Sequence, residues 1–62
     1  MIMKLTLRGA RVNAQKTVKE VAKALGVTTQ TIYNWEQGVT EPRMEHLKQL
    51  ANIYNIGLDD FK

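Results

Sequence analysis

Apolar residues recur at helical spacing in short runs, and the clearest run is followed at once by a turn and a second run. Val18, Val21, Ala22 and Leu25 stand at i, i+3, i+4 and i+7, the apolar stripe of one amphipathic helix, and Gly26 follows where a chain enters the left-handed region to stop. Val27 then turns an apolar side chain back under the corner, and Thr28 is suited to cap the next helix. Ile32 and Trp35, three apart, supply that helix with a buried edge. Residues 18–37 therefore describe two short helices meeting at a sharp turn. Ala22 is small for a reason: helices crossing at roughly 90 to 120° approach closely beside such a turn.

The flanking pattern predicts three further helices. A first is expected from about residue 4 or 5 to 14, with Leu7, Ala10 and Ala14 inward and Val12 beside them; Gly9 weakens it by roughly 1 kcal/mol relative to Ala. Thr17 with Glu20 three residues on forms a capping-box pattern at the start of the second helix. The third runs from Thr29 to about Glu36 and stops at Gly38, and residues 39–42 are loop because Pro42 biases Glu41 away from helical geometry. A fourth helix spans about residues 44–54, with Met44, Leu47, Leu50, Ala51 and Tyr54 on one face and Asn55 as a left-handed stop. Ile56 and Leu58 lead into a single-turn fifth helix ending near Phe61. The expected fold class is all-α, a compact bundle of about five short helices.

Outward on the third helix stand Thr29, Gln30, Tyr33 and Asn34, none charged or aliphatic. Gln and Asn can present a donor and an acceptor together, the pairing that adenine offers in the major groove, and a Thr methyl can touch a thymine methyl. A polar face is also what any solvent-facing helix edge carries. The turn pattern beside it shifts the balance toward a reader of duplex DNA.

Residues 22–38 read Ala-Lys-Ala-Leu-Gly-Val-Thr-Thr-Gln-Thr-Ile-Tyr-Asn-Trp-Glu-Gln-Gly. This stretch resembles the A-x-x-L-G-V-[ST]-x-x-T-I-x-x-W-E-x-G signature of the phage repressor and Cro type of helix-turn-helix protein, also called lambda-repressor-like or XRE-type. The resemblance extends over roughly residues 7 to 61, and Pro42 through Phe61 is similar to the family's closing segment. It implies an Arg on the first helix paired with the Glu after the Trp, positions held here by Arg11 and Glu36. As a partly buried pair joining the first helix to the end of the third, these two would fix the orientation of the recognition helix. Two departures stand out. Where the family has Gly-Leu-[ST]-Gln, with the Gln side chain on a DNA phosphate, this chain has Gln15, Lys16, Thr17 and Val18. Val18 cannot donate a hydrogen bond, which makes Lys16 or Lys19 a substitute, and Gln15 implies either an extended helix or a non-Gly residue at positive φ.

Composition agrees with a small nucleic-acid binder. The 62 residues allow one domain, taken as 1–62, near the lower size for folding without disulfides or metal. With no cysteine there is no disulfide framework or thiolate metal site, and a reducing cytoplasm is the expected setting. The run Met1, Ile2, Met3 is broken by Lys4, too short for a signal peptide, and no apolar stretch approaches a membrane span, so a soluble, intracellular protein is expected. The net charge of +3 is unevenly spread: Lys4, Arg8, Arg11, Lys16, Lys19 and Lys23 precede Trp35 against Glu20 alone, while acids prevail afterwards. Phosphate attraction requires such a basic half, although a mildly basic solvated surface would carry it too.

Other candidate chemistry is thin. His46 is the only histidine and has no Cys or second His with which to bind metal, so it reads as a surface residue. Asp59 and Asp60 are adjacent, share no helix face, and fit the dipole at a helix N-terminus better than an acid pair. No nucleophile triad or glycine-rich phosphate loop is present, so neither an enzyme nor a cofactor, metal or small-molecule substrate is expected. Trp35 reads as core, with a lesser prospect of its indole N–H meeting a phosphate; Tyr33 either reaches DNA or lies over Pro42 and the loop.

The expected function is that of a DNA-binding transcriptional regulator of the repressor or Cro type, with the third helix in the major groove. Thr29, Gln30 and Asn34 would read bases with Tyr33 at the edge. Phosphates would be held by Thr17 to Lys19 at the start of the second helix and by Thr28 or Thr31; the resemblance adds Gln37 and Arg43. The partner is double-stranded DNA, and the working form a homodimer on a palindromic site with half-sites ~34 Å apart. Leu58 and Phe61 would either fill the core or form the dimer contact. The competing expectation is an antitoxin-like or antirepressor-like interaction module of the same fold, favoured by Val18; RNA is a weaker third, because the A-form major groove does not admit a helix.

Overall fold

Three of the four α-helices begin at a threonine that takes over free N–H groups of the first turn. In the computed structural model, which describes residues 5–61, Thr6 caps α1 (Leu7–Asn13) by accepting from the Gly9 N–H at 3.0 Å. Thr17 caps α2 (Val18–Leu25) in a full capping box: its hydroxyl accepts from Glu20 N at 3.1 Å, and its own N–H donates to Glu20 Oε1 at 3.0 Å. Thr28 caps α3 (Thr29–Gln37), accepting from Thr31 N at 3.2 Å. α4 (Met44–Tyr54) starts after Arg43 without a side-chain cap. A 3-10 turn, Leu58–Asp60, closes the described chain, with Gly57 N donating to Asp60 Oδ2 at 2.9 Å.

All four α-helices end in the same way. Gln15, Gly26, Gly38 and Asn55 take left-handed φ values of 59, 72, 78 and 57°. The next residue then bonds back across the last turn: Lys16 to the Arg11 carbonyl, Val27 to Ala22, Val39 to Asn34 and Ile56 to Ala51, at 2.9 to 3.1 Å. These are Schellman closures, and they satisfy carbonyls that a helix end would otherwise leave open. Gln15 is the strained member, because a side chain in the left-handed region costs about 1–2 kcal/mol while glycine has no such penalty. Gln15→Gly should therefore raise stability by about 0.5–1 kcal/mol after the greater unfolded-state freedom of glycine is counted, seen as a higher urea midpoint at unchanged slope. A lower midpoint would show that the Gln15 side chain makes a compensating contact.

The core is drawn from every α-helix: Ala10 of α1, Val18, Val21 and Ala22 of α2, Ile32 and Trp35 of α3, Leu50 and Tyr54 of α4. α2 packs most extensively on α3 and also on α4, and α1 spans both α3 and α4. Val27 is partly buried against this cluster, as a residue folded under the corner should be. No helix among the described residues is long and apolar enough to cross a membrane.

Four expectations need correction. α1 begins at Leu7 rather than near residue 5, because Thr6 takes the cap and Leu5 instead forms a parallel bridge with Phe61, its N–H donating to the Asp60 carbonyl at 2.6 Å; residue 4 lies outside the described residues. Val12 is 57% exposed, since two residues past Ala10 is about 200° around the helix from the buried face. Met44, in the first turn of α4, is 59% exposed, and the inner face of that helix starts at half-buried Leu47. The fifth helix is a 3-10 turn. Phe61 is half-buried against the core and meets Tyr54 edge-on at 6.5 Å between ring centroids, whereas Leu58 stays exposed.

Candidate nucleic-acid interface

The α2–α3 unit turns through Gly26, Val27 and Thr28, and the burial of Ile32 and Trp35 on the inner side of α3 decides what faces out. Thr29, Gln30 and Tyr33 are exposed and Asn34 is half-buried, so the four expected base readers share the outer side of α3. Gln30 and Asn34 are joined: Gln30 Nε2 donates to Asn34 Oδ1 at 3.0 Å. Their i, i+4 spacing was the signal for this bond in the sequence.

The six phosphate candidates differ in what they have free. The Thr28 and Thr31 hydroxyls lie 2.9 Å apart and share one hydrogen, leaving a single O–H between them for an outside acceptor. Thr17 is committed to the capping box, and the Glu20 carboxyl there is held below the usual carboxylate range, first by the Thr17 N–H and then by its hydroxyl. A negative charge thus sits at the start of α2. Val18 is buried at 7% exposure and belongs to the core, so its side chain is not presented at the start of α2. Lys19, Gln37 and Arg43 are exposed and make no side-chain hydrogen bond among the described residues.

Tyr33 lines a shallow concavity with Arg8, Arg11, Glu36 and Gln37, whereas Pro42 lines a different cleft with Trp35, Leu47 and Phe61. Arg8, counted above only among the cations of the basic half, lines that concavity as well. Its placement three residues before Arg11 on one helix face was the available signal.

Arg11 grips Glu36 with two bonds, Nε to Oε2 at 2.7 Å and Nη2 to Oε1 at 3.3 Å, and its Nη1 donates to the Lys16 carbonyl at 3.0 Å. The side chains are only 14% and 5% exposed. The bond to Glu36 raises the Arg11 pKa further above its ordinary value, so the guanidinium stays charged. Burial, with the Glu36 charge adding to it, pushes the Tyr54 phenol up to about 12. The pair ties α1 and the chain leaving it to the last turn of α3. Beside it Trp35 meets His46 at 5.1 Å between ring centroids with the rings tilted; His46 is half-buried and its Nδ1 is enclosed with no partner among the described residues, so it is not the surface residue expected from the sequence. No group of three metal-ligating side chains occurs among the described residues.

Residues 7–61 match the helix-turn-helix family. The chain is also similar to the HTH-type transcriptional regulator ImmR of Bacillus subtilis (strain 168), at 34% identity over 53 residues, which cover 86% of this chain and 42% of that relative's length. No solved structure matches it.

Proposed function

The chain belongs to the lambda-repressor-like, XRE-type helix-turn-helix family, and from that membership we propose that it binds double-stranded DNA sequence-specifically as a transcriptional regulator of the repressor or Cro type. The observation that carries this reading is the outer side of α3: an exposed row of uncharged hydrogen-bonding side chains on a helix held by buried Ile32 and Trp35 and clamped to α1 through Arg11 and Glu36. In this reading α3 enters the major groove, with Thr29, Gln30 and Asn34 on base edges and Tyr33 at the rim. Lys19, Gln37, Arg43, Arg8 and the free hydroxyl of the Thr28–Thr31 pair hold phosphates on either side. A single module of this size gives limited specificity, so two copies act on a palindromic site with half-sites ~34 Å apart. Similarity to a transcriptional regulator supports the regulatory role.

A second reading, a protein-interaction module of the antitoxin-like or antirepressor-like kind, is favoured by the start of α2, where Val18 is buried and the Glu20 carboxylate occupies the Thr17 N–H. Against it stand the polar outer side of α3 and the cations of the first half of the chain, since an interaction surface is depleted in charge and richer in apolar area at its centre. Mobility shifts on random duplex across a salt series separate the two. The parent should bind with a steep salt dependence, and Lys19→Ala and Arg43→Ala should each lower the slope of log affinity against log salt by about 0.9, the value for one phosphate no longer neutralised. Absence of binding at low salt would give the second reading the lead. Unchanged slopes would show that neither Lys19 nor Arg43 touches a phosphate.

A further inference from the structure

Arg8, Arg11, Tyr33, Glu36 and Gln37 line one concavity of about 390 Å³ between α1 and α3. Helical spacing brings them to it: Arg8 and Arg11 are three apart on α1, and on α3 Tyr33 comes three residues before Glu36 and four before Gln37. The charges of Arg11 and Glu36 offset each other, since the two are bonded from Nε to Oε2 at 2.7 Å. Arg8 is exposed and makes no ion pair or side-chain hydrogen bond among the described residues, so it stands there as an uncompensated cation. The Tyr33 hydroxyl and the Gln37 amide are equally unengaged among those residues. The Tyr33 oxygen is near enough to Arg11 to bear on its protonation, which directs the phenol to the α1 side of α3. A guanidinium beside a hydroxyl and an amide donor suits an anion with several acceptor oxygens, such as a phosphodiester.

Resting on the reading of α3 as the helix in the major groove, we infer that Arg8, Tyr33 and Gln37 together hold one phosphate of the DNA backbone between α1 and α3. Tyr33 then adds affinity for duplex of any sequence and takes no part in reading bases. The Arg11–Glu36 pair, by tying α1 to the last turn of α3, keeps the donors of the two helices around the same space.

Binding of the parent, Arg8→Ala and Tyr33→Phe to a selected site and to random duplex over a salt series tests this, with circular dichroism to establish that each variant is folded. Both side chains are exposed, so both variants should fold. Arg8→Ala should lower the slope of log affinity against log salt by about 0.9 per bound chain on either DNA, the value for one phosphate released. Tyr33→Phe keeps the ring and loses only the hydroxyl. It should weaken binding about tenfold on both DNAs alike, at an unchanged slope, and enrich the same sites as the parent from a random pool. Methylphosphonates that neutralise one phosphate in each half-site should reveal one position that abolishes the Arg8→Ala penalty and diminishes that of Tyr33→Phe. The shared site is overturned if the Tyr33→Phe loss is absent or confined to the selected site, if Arg8→Ala leaves the slope unchanged, or if the two residues respond to different phosphates. A folded parent that binds random duplex but enriches no sequence would instead overturn α3 as a base reader, while the slopes on random duplex would still decide the phosphate site.

Discussion

Glu36→Ala should remove about 2–3 kcal/mol of folding stability, since breaking a partly buried ion pair from one side leaves a poorly compensated charge. The orphan would be the Arg11 guanidinium, 14% exposed and left with the Lys16 carbonyl as its one remaining partner. A domain of this length has roughly 3–9 kcal/mol in total, so the variant should unfold at a much lower urea concentration and sit partly unfolded at 37 °C. The effect comes from desolvated charge more than from attraction, and that has a checkable consequence. Arg11→Met combined with Glu36→Leu removes both charges at similar volume and should be much less destabilised than either single change. A loss below about 1 kcal/mol for Glu36→Ala would make the pair equivalent to a surface salt bridge.

Ile32→Ala should cost about 2–5 kcal/mol, the range for truncating a buried aliphatic side chain where the surroundings collapse only partly. Ile32 is 2% exposed on the inner side of α3 and belongs to the cluster that joins α2, α3 and α4. Its removal loosens the helix whose outer side is the proposed reading face, so under that proposal the folded fraction should bind with lower specificity as well. Val12→Ala and Met44→Ala are the contrast: both side chains are more than half exposed, and each change should stay within about 0.5 kcal/mol of the parent in urea denaturation. An Ile32→Ala cost as small as theirs would mean that α3 is not anchored through this position.

How far these features could be read beforehand depended on whether their causes were local. The boundaries of α2 and α3 followed from threonine caps and left-handed glycines within four residues of the helix ends, and the structure has them within a residue. The stop at Asn55 was legible for the same reason. The start of α1 was not, because Leu5 is held out of the helix by Phe61 from the far end of the chain. His46 was read as a surface residue because the sequence offered it no metal-binding partner, yet it packs on Trp35 from another helix. Met44 failed in the opposite direction: periodicity placed it on the inner face of α4, but the core does not extend to the first turn. In the candidate interface, the outer face of α3 was visible residue by residue and the i, i+4 spacing signalled the Gln30–Asn34 bond, while the concavity that Arg8 and Tyr33 line together depends on side-chain placement. The pairing of Arg11 with Glu36 came from family resemblance, since 25 residues separate them and no periodicity connects them.

The role of α3 is tested most directly by the affinity of the parent and of a Gln30→Ala, Asn34→Ala double variant for a selected site and for random duplex at one salt concentration. Base contacts carry sequence information and phosphate contacts do not, so each amide removed should cost ~1–3 kcal/mol on the selected site and almost nothing on random DNA. The i, i+4 bond between the two side chains contributes only ~0.2–0.5 kcal/mol to the helix, so the variant should remain folded. The predicted result is a fall in the ratio of specific to non-specific affinity of at least about tenfold at constant non-specific affinity. An unchanged ratio in the folded double variant would contradict the assignment of α3 as the helix that reads DNA.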